Sequence, residues 1–323
     1  MKKALICGIS GQDGAYLARF LLDKGYAVHG TSRDAQVSTF RNLEILGIRD
    51  RVMLHSMALN DFRSVLQVIN KVKPDEIYNL AGQTSVGLSF EQPVETMESI
   101  TFGTLNLLEV IRFIDSPIKF YNAGSSECFG NTGDRTADET TAFSPRSPYA
   151  VAKAAAHWQV ASYREAYNLF ACSGILFNHE SPLRPKRFVT QKVVTAAIEI
   201  SKGRPERLQL GDLSIRRDWG WAPEYVEAMY LMLQTPQPED YVIATGETHS
   251  LKDFVAEVFS YVGLDWMAHV EIDKSLFRPS ELAVNRGSPQ KAYEKLGWRA
   301  QRKMKEVARG MVDAILCDTI SDV

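Results

Sequence analysis

Apolar residues fall along this chain in two alternating rhythms. Short β-rich runs at 4–7, 26–31, 52–55, 76–80 and 118–122 predict strands, the first of them buried. Between them lie longer stretches with apolar positions at helical spacing, at 13–24, 61–71 and 95–114. In the first of these, Tyr16, Leu17, Phe20 and Leu21 share one side, and Gly25 follows as a stop. Asp61 stands where the second needs an N-cap. Strands alternating with helices predict parallel βαβ units and a doubly wound α/β sheet.

The rhythm loosens in the second half. Helices are expected over 148–167, 189–202, 225–233 and 251–262, with strands over 171–176 and 241–244 and a helical final segment. The stretch 178–218 is dense in Arg, Lys and Pro, and no internal repeat or low-complexity tract interrupts the chain. At 323 residues the chain exceeds what one core usually supports. The expected organisation is a Rossmann-type dinucleotide-binding domain over 1–177, with returns near 219–246. A smaller α/β lobe, mainly 178–323, would close over the strand ends and hold the substrate.

Composition narrows the function classes. Apolar residues make up 45% and charged residues 24%, ordinary globular usage that argues against disorder. The net charge of −2 comes without a basic stripe, so nucleic acid is not the expected partner. None of Cys7, Cys128, Cys172 and Cys317 forms a C-x-x-C pair, and no His cluster joins them. Neither a metal site nor a disulfide framework is expected, which fits a reducing cytoplasm. The opening MKKALICGISG reads as a strand and turn rather than an export signal, and no apolar run is long enough to span a bilayer.

The first strand runs into Gly8-Ile9-Ser10-Gly11-Gln12-Asp13-Gly14. Glycines at this spacing let backbone approach a pyrophosphate at a helix N-terminus. The end of the second strand chooses between the nicotinamide cofactors. There Thr31, Ser32 and Arg33 favour the 2′-phosphate of NADP, while Asp34 favours the free ribose of NAD.

Ser147-Pro148-Tyr149-Ala150-Val151-Ala152-Lys153 is the sharpest chemical signal. Tyr149 and Lys153 are four apart and share a helix face. A nearby ammonium is expected to favour the phenolate, so the pair can move a proton while hydride leaves the same carbon. Asn122-Ala123-Gly124-Ser125-Ser126-Glu127 lies at the carboxyl end of the fifth strand, where open α/β sheets place ligands. Ser125 can hydrogen-bond a reacting hydroxyl. Glu127 adds a carboxylate suited to taking a carbon-bound proton beside a ketone.

Together these residues resemble the extended short-chain dehydrogenase/reductase family, and within it the GDP-hexose 4,6-dehydratases. The similarity runs through GISGQDGAYLARFLLDKGYAVHG, YNLAGQTSVG, SPRSPYAVAK, GILFNHESPLRP and RRDWGWAPEYVEAMYLML. The resemblance implies loss of water from GDP-mannose by oxidation at C4, elimination across C5 and C6, and return of hydride to C6. It implies Ser125, Glu127, Tyr149 and Lys153 as catalytic residues. For the cofactor it implies Gly8, Ser10, Gly11, Gln12, Asp13, Gly14, Arg33, Leu59, Leu80, Ala81 and Gln83, with Tyr149, Lys153, His179 and Arg184. For the GDP-sugar it implies Ser85, Asn178, Glu180, Val189, Lys192, Arg217, Arg278 and Glu281.

The chain departs from the family pattern in places. Ser125 replaces the usual Thr, Met57-Ala58 replaces a Gly-Asp pair, and Asp34-Ala35-Gln36 follows Arg33. A 4-reductase or epimerase of the same family is the alternative reading, and Glu127 argues against it. A non-catalytic dinucleotide sensor would not need Ser125, Tyr149 and Lys153 together. Surplus apolar positions near 95–114 and 148–167 resemble the family's dimer helices, so a homodimer is expected, with a homotetramer as the alternative.

Overall fold

The computed structural model describes residues 1–204 and 207–317. Residues 205–206 and 318–323, which the sequence pattern assigns to the second lobe, lie outside the described residues. In chain order the first half runs β1 (Lys3–Cys7), α1 (Gln12–Asp23), β2 (Ala27–Ser32), α2 (Arg41–Ile45), β3 (Met53–Ser56), α3 (Phe62–Val72), β4 (Glu76–Asn79), α4 (Val86–Glu91), α5 (Pro93–Met97), α6 (Gly103–Ile114) and β5 (Lys119–Ala123). The second half runs α7 (Pro148–Tyr167), β6 (Ala171–Leu176), β7 (Asn178–Glu180), α8 (Val189–Ser201), β8 (Leu208–Leu210), β9 (Arg216–Arg217), β10 (Trp219–Trp221), α9 (Ala222–Gln234), β11 (Tyr241–Ile243), β12 (His249–Ser250), α10 (Leu251–Tyr261), β13 (Val270–Ile272), α11 (Gln290–Leu296) and α12 (Met304–Leu316).

Seven strands form a wholly parallel sheet in the order β3-β2-β1-β4-β5-β6-β11. Successive side chains of a strand point to opposite faces, and both faces are covered except at the edge strand β3. Ala4 and Ile6 of β1 therefore pack with α1 and α9, while Leu5 and Cys7 pack with α3 and α6. This is why β1 is apolar from Ala4 to Cys7 rather than alternating. α9 and β11 follow the first part of the second lobe in sequence, yet they return to this sheet.

The remaining helices α8, α10 and α12 build a second core with Trp219 and Trp221. Three two-stranded sheets, β7 with β10, β9 with β12 and β8 with β13, lie apart from the main sheet. Strands this short carry no readable periodicity, and the hydropathy pattern misses all six. It also misses α2, α4 and α11.

The stretch 95–114 is not one α-helix. α5 and α6 are joined by a π-helical turn at Glu98–Phe102. Within that turn the Ser99 hydroxyl accepts the Gln83 amide at 3.2 Å. π-turns of this kind insert one residue and re-aim side chains, commonly beside a binding site. Asp61 caps α3 as expected, accepting the Arg63 amide at 2.9 Å. Gly25 follows α1 with φ +81°.

Candidate active site

β1 and β4 are neighbours whose connections leave to opposite sides, which opens a crevice above their carboxyl ends. A cavity of about 760 Å³ occupies it, lined by Gly8, Ser10, Gly11, Gln12, Asp13 and Gly14, and further along by Arg33, Leu59, Leu80, Ala81 and Gln83. Two glycines make the turn fit. Gly8 sits at φ +83°, and a Cβ there would stand 2.9 Å from Ala81 backbone. A Cβ on Gly14 would stand 2.4 Å from the Gly8 carbonyl, so α1 could not pack this close to β1.

Several side chains in this cavity brace it. The Gln12 amide donates to Asp13 at 2.9 Å and to the His179 carbonyl at 3.2 Å, and it accepts the Ser181 hydroxyl at 2.7 Å. His179 Nε2 meets the Asp13 carboxylate at 2.9 Å. Burial pushes the Asp13 carboxyl up, but His179, Gln12 and Arg184 outweigh it and hold the group at about 2. His179 is raised in turn, because Asp13 overcomes the effect of burial. The Gln83 amide is tied to the Ser85 backbone in the loop after β4.

At the end of β2 the Asp34 side chain has a local partner. The Asp34 carboxylate accepts the Gln36 amide at 2.9 Å and so closes its own turn. Arg33 is largely exposed at the cavity wall, 3.6 Å from Glu95.

A second cavity of about 410 Å³ continues from the first. Asp13, Leu80 and Arg184 line both. Ser125, Glu127, Tyr149 and Lys153 converge on it from two elements. Ser125 ends the β5 segment and caps a short 3-10 turn, Ser126–Phe129, that carries Glu127. The Ser147 hydroxyl caps α7 through the Ala150 amide at 3.1 Å, so the helix starts at Pro148, one residue before Tyr149. One turn later Lys153 is buried and donates to the Ala123 carbonyl at 2.8 Å.

The electrostatics differ from the sequence expectation at Tyr149. Burial raises its pKa, and the Ser125 hydroxyl only partly opposes that rise. Lys153 does not hold a phenolate here, because its ammonium is turned to Ala123 and lies 5.9 Å from the Tyr149 ring centre. Burial also lowers Lys153, to about 8. Glu127 is raised, since burial outweighs the pull of Arg217 and Arg278, and Glu281 adds to the rise. The centre thus holds a protonated phenol beside a carboxyl that titrates above the ordinary range.

The far wall comes from the second lobe. Arg217 is 4% exposed, donating to the Leu282 carbonyl at 2.7 Å and to Glu281 at 2.8 Å. Arg278 reaches the same Glu281 oxygen at 3.3 Å. Two guanidinium groups sharing one carboxylate leave donors and positive charge for a diphosphate. Ser85, Asn178, Val189 and Lys192 line this cavity as well. Ser85 caps α4, and Lys192 donates to the Gln209 carbonyl at 2.7 Å. Glu180 is buried between Thr190, at 2.7 Å, and Arg184, at 3.1 Å, so it holds the wall in place.

Sequence reasoning missed the residues at the junction. Thr84, Arg187 and Phe188 border both cavities, and Arg187 donates to Thr84 across the opening at 3.3 Å. Thr84 lies between Gln83 and Ser85, both expected at the site, so the loop itself was the available signal. Arg187 and Phe188 carry no motif. Only the packing of the segment before α8 brings them here.

A dinucleotide-sized cleft, a Ser–Tyr–Lys set, an added carboxylate and a paired-Arg wall form one continuous groove. The chain as a whole is similar to known proteins. A family model described as GDP-mannose 4,6 dehydratase matches residues 5–311. GDP-mannose 4,6 dehydratase 1 of Arabidopsis thaliana is 48% identical over 322 residues, covering 97% of this chain and 89% of the relative. The Homo sapiens GDP-mannose 4,6 dehydratase is 43% identical over 336 residues, covering 96% and 90%. Among solved structures, a Thermus thermophilus UDP-glucose 4-epimerase in complex with NAD aligns with a TM-score of 0.84 at 27% identity, covering 96% of this chain and 98% of that one.

Proposed function

The chain belongs to the GDP-mannose 4,6-dehydratase family, and from that premise we propose that its joined cavities hold a nicotinamide dinucleotide and a GDP-sugar end to end. The activity is the family's: GDP-mannose loses water and becomes GDP-4-keto-6-deoxymannose. What carries the assignment of roles is the convergence of Ser125, Glu127, Tyr149 and Lys153 on the cavity that Arg217 and Arg278 close at its far end. Purified protein incubated with GDP-mannose and NADP+ should yield a product lighter by one water in mass spectrometry. Unchanged GDP-mannose alongside turnover of another nucleotide sugar would defeat the substrate assignment.

The residues present fit the cofactor. The close approach enforced at Gly8 and Gly14 leaves backbone amides at the start of α1 for a pyrophosphate. Lys153 would hold the nicotinamide ribose, and Arg184, which lines both cavities, would contact the cofactor. A nicotinamide held there would supply the hydride acceptor for the sugar C4 and the hydride donor for C6. Tyr149 removes the C4 hydroxyl proton, with Ser125 holding the oxygen. The resulting ketone acidifies the C5 hydrogen, which Glu127 removes. The C6 hydroxyl leaves as water, protonated by Ser125 or by Glu127 now acting as the acid, and C5 regains a proton from solvent by way of Glu127 as hydride reaches C6. A carboxyl raised by burial suits both the taking and the giving of that proton.

NADP is the cofactor we assign, with NAD as the weaker ligand. The support is that Arg33 flanks the adenosine end of the cleft while Asp34 is occupied within its own turn. Arg33→Ala should weaken NADP binding about tenfold, the order of one solvent-exposed charge-assisted contact, and leave NAD nearly unchanged. Calorimetric titration of both cofactors measures this, and an equal loss for both would refute it.

A homodimer is proposed from apolar surface left uncovered. Val94, Phe102 and Phe113 on the α5–α6 run, and Val151 and Trp158 on α7, are all exposed. Trp158 is 61% exposed and lies two turns from Val151 on the same stripe. Trp158→Glu should halve the particle mass in light scattering, and an unchanged mass would exclude this face. A homotetramer would need a second contact. Among the described residues no helix is long and apolar enough to cross a membrane. The four cysteines are free and three are buried, which supports a cytoplasmic setting.

A further inference from the structure

One polar side chain beside the site has no part in the roles above. Asn285 is 1% exposed, and its Nδ2 donates to the Ser126 carbonyl at 3.0 Å and to the Gly130 carbonyl at 3.2 Å. Those carbonyls bracket the 3-10 turn that carries Glu127. The Asn285 Oδ1 is buried without a hydrogen-bond partner. A buried amide with its acceptor unmet is a poor choice for packing alone, because an apolar side chain fills the same volume without that penalty.

The backbone around Asn285 is a strap between two parts of the site. On one edge the Thr132 amide donates to the Val284 carbonyl at 3.0 Å, and the Ala137 amide to the Arg286 carbonyl at 3.0 Å. The Val284 amide donates back to the Asn131 side chain at 3.0 Å. On the other edge the Asn285 amide donates to the Arg216 carbonyl at 3.1 Å, and the Arg216 amide to the Ala283 carbonyl at 2.8 Å. Arg217 is anchored just upstream on Glu281 and Leu282. The strap therefore has the loop that follows Glu127 on one side and the strand bearing Arg217 on the other.

We propose that Asn285 is a positioning residue for Glu127. By clamping the two ends of the turn to the strap, it sets the carboxylate over the C5 hydrogen of a sugar whose diphosphate is held by Arg217 and Arg278. Removing a proton from carbon demands close alignment. A displacement of about 1 Å costs such a step roughly 100-fold. The inference rests on Glu127 being the C5 base.

The test replaces the amide by an apolar side chain of similar size, Asn285→Leu, in the full chain. Steady-state rates, a pH profile, single-turnover formation of reduced nicotinamide and the melting temperature are then compared with those of the parent. Water loss should slow by roughly 30-fold to 100-fold, with KM for GDP-mannose within about twofold. Oxidation at C4 should keep its rate, so reduced nicotinamide accumulates, and the acid limb of the pH profile should move. A merely structural role lowers both half-reactions together and leaves that limb in place, which overturns the proposal. Parent-like water loss overturns it too. If the Leu variant does not fold, Asn285→Ala is measured in the same way. Glu127→Gln run in parallel separates the two ideas. Water loss surviving in that variant removes the base assignment itself. Its loss there, beside a parent-like Asn285 variant, overturns the positioning role alone.

Discussion

Glu127→Gln is expected to lower the rate of water loss by about 10³-fold while leaving oxidation at C4 in place, the usual scale for deleting a general base. The amide matches the carboxylate in shape but cannot accept a proton. The turn that holds it is built from backbone contacts, the Ser125 hydroxyl and the Asn285 side chain, so the fold should survive the change. With enzyme in excess, mixing with GDP-mannose should give reduced nicotinamide that persists instead of decaying. Deuterium from solvent should no longer enter the sugar. The parent should show an acid limb above the ordinary carboxylate range, because burial raises Glu127 and its base form is lost as pH falls through that raised value. That limb should be absent from whatever rate the variant retains. Undiminished product formation by Glu127→Gln would rule out the elimination role.

The second large effect belongs to Tyr149. Tyr149→Phe should cost about 10²-fold to 10⁴-fold, and here C4 oxidation itself should fail, so no reduced nicotinamide appears. The two variants thus stall at different points of one reaction. Burial leaves the phenol protonated and hard to ionise, so its proton must leave as the substrate and cofactor charges come into place. Lys153 contributes only as the ammonium. Burial lowers it to about 8, so that form is lost as pH rises through about 8, and an alkaline limb is expected there. Lys153→Met should abolish that limb along with most of the rate. Reduced nicotinamide forming at the parent rate in Tyr149→Phe would dismiss the phenol as the C4 base.

Most of the site's chemistry was legible in the chain itself. The Gly8-to-Gly14 turn, the Tyr149–Lys153 spacing and the Ser125–Glu127 pair are local patterns. Each needs only a neighbouring strand end or one helical turn to take effect. The strands of the main sheet were equally legible, to within a residue or so at each end, because each is a short β-rich run set between stretches of helical spacing. The small paired strands of the second lobe were not. A three-residue strand such as Asn178–Glu180 has no period to read, and its existence depends on Trp219–Trp221 arriving beside it from 41 positions later in the register.

The roles of individual polar groups divide along the same line. Sequence by itself determined which residue types could do the chemistry, and it set their order along parallel strands, since these are properties of short segments. Only the tertiary structure decided their states. Asp34 and Gln12 look alike in sequence as candidates for cofactor contact, yet one closes its own turn and the other braces His179 and Ser181. Lys153 turned to Ala123 rather than to Tyr149, and burial carried Glu127, Tyr149 and Lys153 away from their ordinary titration ranges. Arg187, Phe188 and Asn285 reached the site with no motif to announce them. Hydrogen-bond partners and desolvation depend on which distant segments meet, and that is fixed by packing rather than by any local pattern.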